Sequence, residues 1–232
     1  DVTTAGPETG IVESEAQRRA ELMECVEYFM DLWHQRIGGS GHDLITMLAN
    51  GENTRDMDAA EYLGNLVLLI VGGNDTTRNS MSGSIYGSHL FPEQWDKVKA
   101  NRDLIPNAVA EIIRWQTPLA YMRRTATKDT VLNGKEIKKD DQLLMWYISA
   151  NMDEDVFENP EVLDIDRENA DRQLSFGYGI HFCMGSRVAE LQLRVLWEEM
   201  LKRFETIEVL LGSPIATIVG AVEEDVVARS AF

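Results

Sequence analysis

The chain has 232 residues, 44% of them apolar and 26% charged, the balance of a globular protein with a core to bury rather than of a disordered or fibrous chain. Its 22 Lys+Arg stand against 39 Asp+Glu, a formal charge of −17 that repels nucleic-acid backbone and anionic membrane alike. Its longest apolar run, Leu66 to Val71, falls far short of the roughly 20 residues a spanning helix needs, and the start Asp1-Val2-Thr3-Thr4 has no leader pattern. The expectation is a cytoplasmic protein with no membrane anchor and no nucleic-acid partner.

Residues 1–12 are polar and contain Gly and Pro, the composition of a frayed end. From Ser14 to about Arg36, Leu22, Cys25, Val26, Phe29, Met30 and Trp33 recur at helical spacing, which predicts an amphipathic helix with Cys25 in its core face. Gly38-Gly39-Ser40-Gly41 stops it. A short helix follows from about Asp43 to Ala49 and ends at Gly51-Glu52-Asn53. Asp58 is the expected N-cap of a long helix reaching about Leu90. Phe91-Pro92 breaks that helix, and Pro92 suits the first turn of the next, to about Asn101. Asp103 to Gln116 reads as helical and stops before Pro118, because a residue preceding proline avoids the α region. Val131 to Ile137 is a hairpin around Asn133-Gly134, and Leu143 to Ile148 is a strand candidate. Residues 151–175 are irregular, and a last helix runs from about Ser186 to Phe204. The predicted fold class is mainly α with small β-sheets (α+β).

Two cysteines, Cys25 and Cys183, neither in a C-x-x-C pair, are too few for a disulfide framework or a thiol-based zinc site and fit a reducing compartment. Cys183 has a context of its own, in Phe176-Gly177-Tyr178-Gly179-Ile180-His181-Phe182-Cys183-Met184-Gly185. A Gly-rich loop delivers it immediately before a helix, where backbone N–H groups and the positive helix end favour thiolate over thiol. A thiolate there is a metal ligand or a nucleophile; otherwise Cys183 is an inert buried cysteine. A dinucleotide loop does not fit, since G-x-G-x-x-G would need glycine where Phe182 stands.

Three further stretches carry possible chemistry. Glu111 and Arg114 share one helix face, though most such pairs are surface contacts worth ~0.5 kcal/mol or less. Gly72-Gly73-Asn74-Asp75-Thr76-Thr77 sets two glycines in mid-helix, which cost about 1 kcal/mol each against alanine. Either the helix kinks there for packing, or it opens beside a ligand and presents an acid–alcohol pair. In Pro118-Leu119-Ala120-Tyr121-Met122-Arg123-Arg124 the two adjacent arginines read by themselves as a solvated surface pair, and the apolar residues as core.

Phe-x-x-Gly-x-His-x-Cys-x-Gly, at 176, 179, 181, 183 and 185, resembles the haem-ligand signature of the cytochromes P450. The resemblance implies haem b, with Cys183 as its axial thiolate and metal ligand, His181 bonded to one propionate, and Phe176, Gly177 and Gly185 around it. In that family thiolate ligation favours O–O cleavage. Glu111-x-x-Arg114 is similar to the family's Glu-x-x-Arg element, and Arg167 would be the third member of that buried network. Gly72 to Thr77 is similar to the family's oxygen-binding groove, which implies a catalytic role for Thr76 in steadying dioxygen and for Asp75 in relaying protons. Arg124 would pair with the second propionate, while Leu119, Ala120 and Met122 would face the substrate.

The resemblance covers about 13–209. Gly-Gly-Asn-Asp-Thr-Thr-Arg-Asn-Ser-Met-Ser-Gly at 72–83, with Pro-Leu-Ala-Tyr-Met-Arg-Arg at 118–124, resembles the bacterial medium-chain alkane and fatty-acid ω-hydroxylases. That branch implies terminal hydroxylation of a hydrophobic small molecule by O2, driven by NAD(P)H through a ferredoxin reductase and a 2Fe–2S ferredoxin. Residues 1–232 are read as one partial domain lacking the family's N-terminal half, and Leu210 to Phe232 is expected to lack the β-hairpin that completes the pocket. Two alternatives stand beside the enzyme: a haem-thiolate sensor without turnover, which has no need of the Asp75-Thr76 relay, and an inactive partial domain that aggregates alone.

Overall fold

Ser14 accepts the Gln17 N–H on its hydroxyl at 3.1 Å and so opens α1 (Glu15–Arg36). Asp43 does the same for α2 (Leu44–Asn50), accepting from the Thr46 N–H at 3.0 Å and from the Thr46 hydroxyl at 2.6 Å. Asp58 accepts the Glu61 N–H at 2.8 Å and opens α3 (Ala59–Leu90). These three helix starts, each expected from sequence, have their side-chain caps. The computed structural model describes residues 10–210 and 217–221, so 1–9 of the expected frayed start lie outside it, while Val12 is buried.

The chain divides into two compact units, Asp1–Asn74 and Asp75–Phe232, and α3 contributes its first half to one and its second half to the other. The first unit packs α1, α2 and the start of α3 around Trp33, Ala49, Tyr62 and Leu66. The Trp33 and Tyr62 rings meet at 4.3 Å, and the Tyr62 hydroxyl donates to the Phe29 carbonyl at 3.1 Å. Cys25 is exposed, which corrects its expected core placement. The core side of α1 is carried by Phe29, Met30 and Trp33, and a small thiol one turn away adds little apolar area to hold it inward.

The second unit adds α4 (Pro92–Ala100), a 3₁₀ turn at Arg102–Leu104, and α5 (Ile105–Gln116). Its core joins Ile85, Trp95, Val98, Ile105, Val109, Ile112, Ile113, Leu163, Ile165, Leu193 and Trp197. Each such aliphatic side chain, taken fully out of water, contributes roughly 1.5–3 kcal/mol. Trp95 and Trp197 stack at 3.8 Å with their planes 18° apart, and Trp197 donates through Nε1 to the Ser84 hydroxyl at 3.1 Å. Close approach fixes Gly87, where a Cβ would stand 3.2 Å from Leu163 Cδ2 and 3.6 Å from Trp115 Cζ3.

Past α5, Thr117 turns the backbone left-handed at φ 40° and β1 (Tyr121–Thr125) begins. A tight turn at Asn133 (φ 48°) and Gly134 (φ 75°) joins β2 (Thr130–Leu132) to β3 (Lys135–Ile137), as the Asn-Gly pair predicts. β4 (Gln142–Trp146) pairs antiparallel with β1, with Arg124 opposite Leu143. The strand expected to reach Ile148 stops at Trp146. Tyr147 is buried and starts the short α6 (Tyr147–Asn151).

After the irregular stretch and the Cys loop, α7 (Ser186–Arg203) runs to the C-terminal hairpin, β5 (Thr206–Leu210) with β6 (Thr217–Ala221), antiparallel with Leu210 opposite Thr217. Part of the tail expected to lack the family's β-hairpin, Thr217–Ala221, is thus a strand paired with β5. Thr217-Ile218-Val219 is β-branched throughout, a strand preference that outweighs the atypical look of the tail. Residues 211–216 and 222–232 of that tail lie outside the described residues. Among the described residues no helix is long and apolar enough to cross a membrane.

Candidate functional site

Cys183 sits in a loop whose backbone is tied across its base. The Cys183 N–H donates to the Phe176 carbonyl at 2.9 Å, the Gly177 N–H to the Leu174 carbonyl at 2.8 Å, and the Phe182 N–H to the Gly179 carbonyl at 3.0 Å. Gly177 and Gly179 are left-handed at φ 73° and 72°, a conformation that side chains resist. Gly177 is doubly required, because a Cβ there would stand 3.3 Å from the Tyr147 hydroxyl. Gly185 caps α7, and the Val188 and Ala189 N–H groups both donate to its carbonyl at 3.0 Å. Cys183 is half-buried just ahead of that helix start, where the N-terminal dipole favours negative charge.

Around it the loop presents an apolar surface. Ile180 is 98% exposed and Tyr178 82%, and Met184 and Phe182 are exposed beside them. Phe176 is half-buried against the core of the second unit and meets the Phe182 ring edge-on at 6.1 Å. His181 is exposed. Arg124 is half-buried on β1 and donates through Nη1 to the Arg123 carbonyl at 3.0 Å. Among the described residues neither His181 nor Arg124 forms an ion pair. Leu119 and Met122 are exposed and Ala120 half-buried, so none of these three is core.

The backbone of α3 is helical from Gly72 through Thr77. A Cβ on Gly72 or Gly73 would meet nothing within 4 Å, so no neighbour in the described chain demands glycine there. Asp75 and Thr76 are half-buried, and Asp75 accepts from Arg78 Nη2 at 2.9 Å, one helical turn on. Thr76 accepts the Ser80 hydroxyl on its carbonyl at 2.9 Å.

The buried ion network has the richest geometry. Glu111, fully buried, accepts from Arg114 Nε and Nη2 at 2.7 Å and from Arg167 Nε at 3.1 Å. It also takes the Asp164 N–H at 3.0 Å. The two guanidiniums spread their remaining donors over the Asn151, Val162, Glu158 and Asn159 carbonyls, and both stack on the Phe157 ring. Every charge is paired and nearly every lone pair is used, the condition under which a buried triad is tolerated.

Sequence reasoning missed the polar cluster beside this triad. Asn151, Thr117 and Ser175 are all buried, and Asn151 donates to each of the other two hydroxyls at 2.9 Å. Its only sequence trace is that Ser175 immediately precedes Phe176, and polar residues in a loop predict nothing so specific.

The Cytochrome P450 family model matches residues 22–215. Linalool 8-monooxygenase of Pseudomonas putida is 41% identical over 188 residues, which are 79% of this chain and 46% of that protein. Methyl-branched lipid omega-hydroxylase of Mycobacterium tuberculosis is 38% identical over 69% of this chain and 37% of its own length. Among solved structures, Cytochrome P450-153 from Novosphingobium aromaticivorans is 50% identical with a TM-score of 0.79, over 89% of this chain and 52% of that one. The chain therefore spans about half the length of the relatives it matches.

Proposed function

Because the chain belongs to the cytochrome P450 family, we propose that it carries the haem-ligating and proton-handling part of a monooxygenase that hydroxylates the terminal carbon of an alkane or fatty acid. The reaction is RH + O2 + 2e− + 2H+ giving ROH + H2O. The observation that carries this reading is Cys183, half-buried ahead of α7 in a loop pinned by its own N–H and by two left-handed glycines.

The residues present fit haem b. The donor is a single thiol, and among the described residues no three His, Cys, Asp or Glu side chains gather as a metal cluster, which suits a group bringing its own remaining ligands. The loop's exposed apolar side chains suit a flat hydrophobic ring. Arg124 and His181, without carboxylate partners among the described residues, suit two propionates. When bound, haem would supply the chemistry of dioxygen, which thiolate ligation favours.

The remaining tasks fall to the chain. Cys183 Sγ would hold the iron as a thiolate, favoured by the α7 dipole. Phe176, Gly177 and Gly185 set the loop's shape beside the ring. Arg124 offers a planar fork to one propionate and His181 a single donor to the other. On α3, Thr76 would present a hydroxyl and Asp75 would pass protons toward the site. Directed delivery matters because a misplaced proton releases peroxide in place of product. Leu119, Ala120 and Met122 wall an apolar substrate. Likeness to Cytochrome P450-153 and to a lipid omega-hydroxylase supports the choice of substrate class. Electrons reach the site from NAD(P)H through a ferredoxin reductase and a 2Fe–2S ferredoxin, in the cytoplasm.

The test is the difference spectrum of the reduced, CO-bound protein in its full-length, haem-loaded form. The thiolate-type Soret band is expected in the wild type and absent in Cys183→Ser, with spin shifts on adding medium-chain alkanes or fatty acids. A band that survives Cys183→Ser overturns the ligand assignment, and the absence of any spin shift with either substrate overturns the substrate class.

A further inference from the structure

We propose that Asn151 is a positioning residue for the Cys183 loop, an inference that rests on reading Cys183 as the haem thiolate. Asn151 ends α6 and is fully buried. Its Nδ2 donates to the Thr117 hydroxyl and to the Ser175 hydroxyl, both at 2.9 Å, and its Oδ1 accepts the Leu174 N–H at 2.7 Å. Its main-chain carbonyl accepts from Arg114 Nη1 at 2.7 Å. One amide thus ties the C-terminal end of α5, the end of α6 and the segment that enters the loop.

The polarity of the cluster specifies an amide. The Thr117 hydroxyl donates to the Arg114 carbonyl at 2.6 Å and the Ser175 hydroxyl to the Ile113 carbonyl at 2.8 Å. Both hydroxyl protons are therefore committed to α5, and each oxygen has only acceptor capacity left to offer Asn151. The residue between them must give two protons and take one, which Asn does. Asp, ionised, gives none and would face two hydroxyl oxygens with a carboxylate. The segment held this way is the base of the loop: the Leu174 carbonyl takes the Gly177 N–H, and two residues on the Phe176 carbonyl takes the Cys183 N–H. Through Arg114, the same residue fastens that base to the buried Glu111 triad.

The experiment uses the full-length protein, loaded and haem-free, with Asn151→Asp, Asn151→Ala and a core control, Ile105→Ala. Amide hydrogen exchange of the haem-free protein is the first readout. Both Asn151 variants are expected to speed exchange at the Gly177 and Cys183 N–H groups about tenfold over the rest of the second unit, the worth of roughly one hydrogen bond. Ile105→Ala should speed exchange evenly. The second readout is the CO-bound spectrum, where the Asn151 variants should lose thiolate-type band at temperatures at which Ile105→Ala keeps it. Loop exchange that rises no more than in Ile105→Ala, or an Asn151→Asp protein indistinguishable from wild type, overturns the proposal. If Cys183→Ser keeps the thiolate-type band, the ligand assignment has failed instead, and the exchange readout still decides whether Asn151 holds the loop.

Discussion

The Cys183 N–H and the Phe176 carbonyl meet at 2.9 Å, closing the loop so that the thiol's own backbone is fixed at its base. A ligand held in this way has its position set by the glycines and the amide cluster behind it rather than by its own side-chain rotamer. Substitutions at those supports should therefore change the loop before they change the fold.

Gly177 and Gly179 separate strain from crowding. Both are left-handed, so alanine at either costs roughly 1–2 kcal/mol of backbone strain. At Gly177 the new Cβ also meets the Tyr147 hydroxyl at 3.3 Å, whereas at Gly179 it meets nothing within 4 Å. Thermal melts should rank Gly177→Ala below Gly179→Ala, and equal losses would show that the Tyr147 contact yields freely.

Glu111 faces two guanidiniums in a fully buried setting. Glu111→Gln leaves two cations without a counter-charge and should destabilise by about 3–5 kcal/mol, read from denaturant midpoints. Apolar replacement of the whole triad is often neutral elsewhere, but here the guanidiniums also satisfy the Asn151, Val162, Glu158 and Asn159 carbonyls. A triple Glu111→Leu, Arg114→Leu, Arg167→Met protein should remain less stable than wild type, since each stranded carbonyl costs about 1–3 kcal/mol.

For Asp75 and Arg78 the expected energies are small and the expected chemistry is not. The pair is partly exposed and spans one turn, so Arg78→Ala should shift stability by at most about 0.5 kcal/mol. Asp75→Asn, in the loaded enzyme, should slow turnover, and Thr76→Ala should raise peroxide formed per O2 consumed. Unchanged coupling in both would remove the acid–alcohol pair from the proposed proton path.

Asp43 supplies a pH signature for the first unit. The Thr46 hydroxyl, followed by the Thr46 N–H, holds its carboxyl below the ordinary value of 3.8. A lowered acid contributes stability above its ordinary value and loses it as pH falls through its folded value. Melts of wild type and Asp43→Ala should differ at neutral pH and converge in acid below that range. A gap that widens on acidification would contradict the capping role.

How much of this could be read from residues alone follows the range of the forces involved. Ser14, Asp43, Asp58 and Asn133-Gly134 act over three or four residues, and the elements they begin or turn stand where the sequence places them. Glu111 and Arg114 are likewise local, and the structure joins Arg167 to them from fifty-six residues away. Cys25 was misplaced because helical spacing shows which residues share a face but not which face is covered. The tail hairpin was missed because strand pairing of Leu210 with Thr217 is weaker in signal than the break in resemblance around it. Asn151, Thr117 and Ser175 were invisible for another reason: their meaning lies only in being brought together.

The stacked indoles of Trp95 and Trp197 have an optical consequence. Two stacked chromophores 3.8 Å apart couple their excited states, so this pair should contribute an aromatic signal to the circular dichroism of the second unit. Helix content reports through the far ultraviolet and survives loosened packing, whereas the coupled signal needs both rings in register. The protein thus carries an intrinsic gauge that tells a tightly packed core from one that has kept its helices and lost its fit.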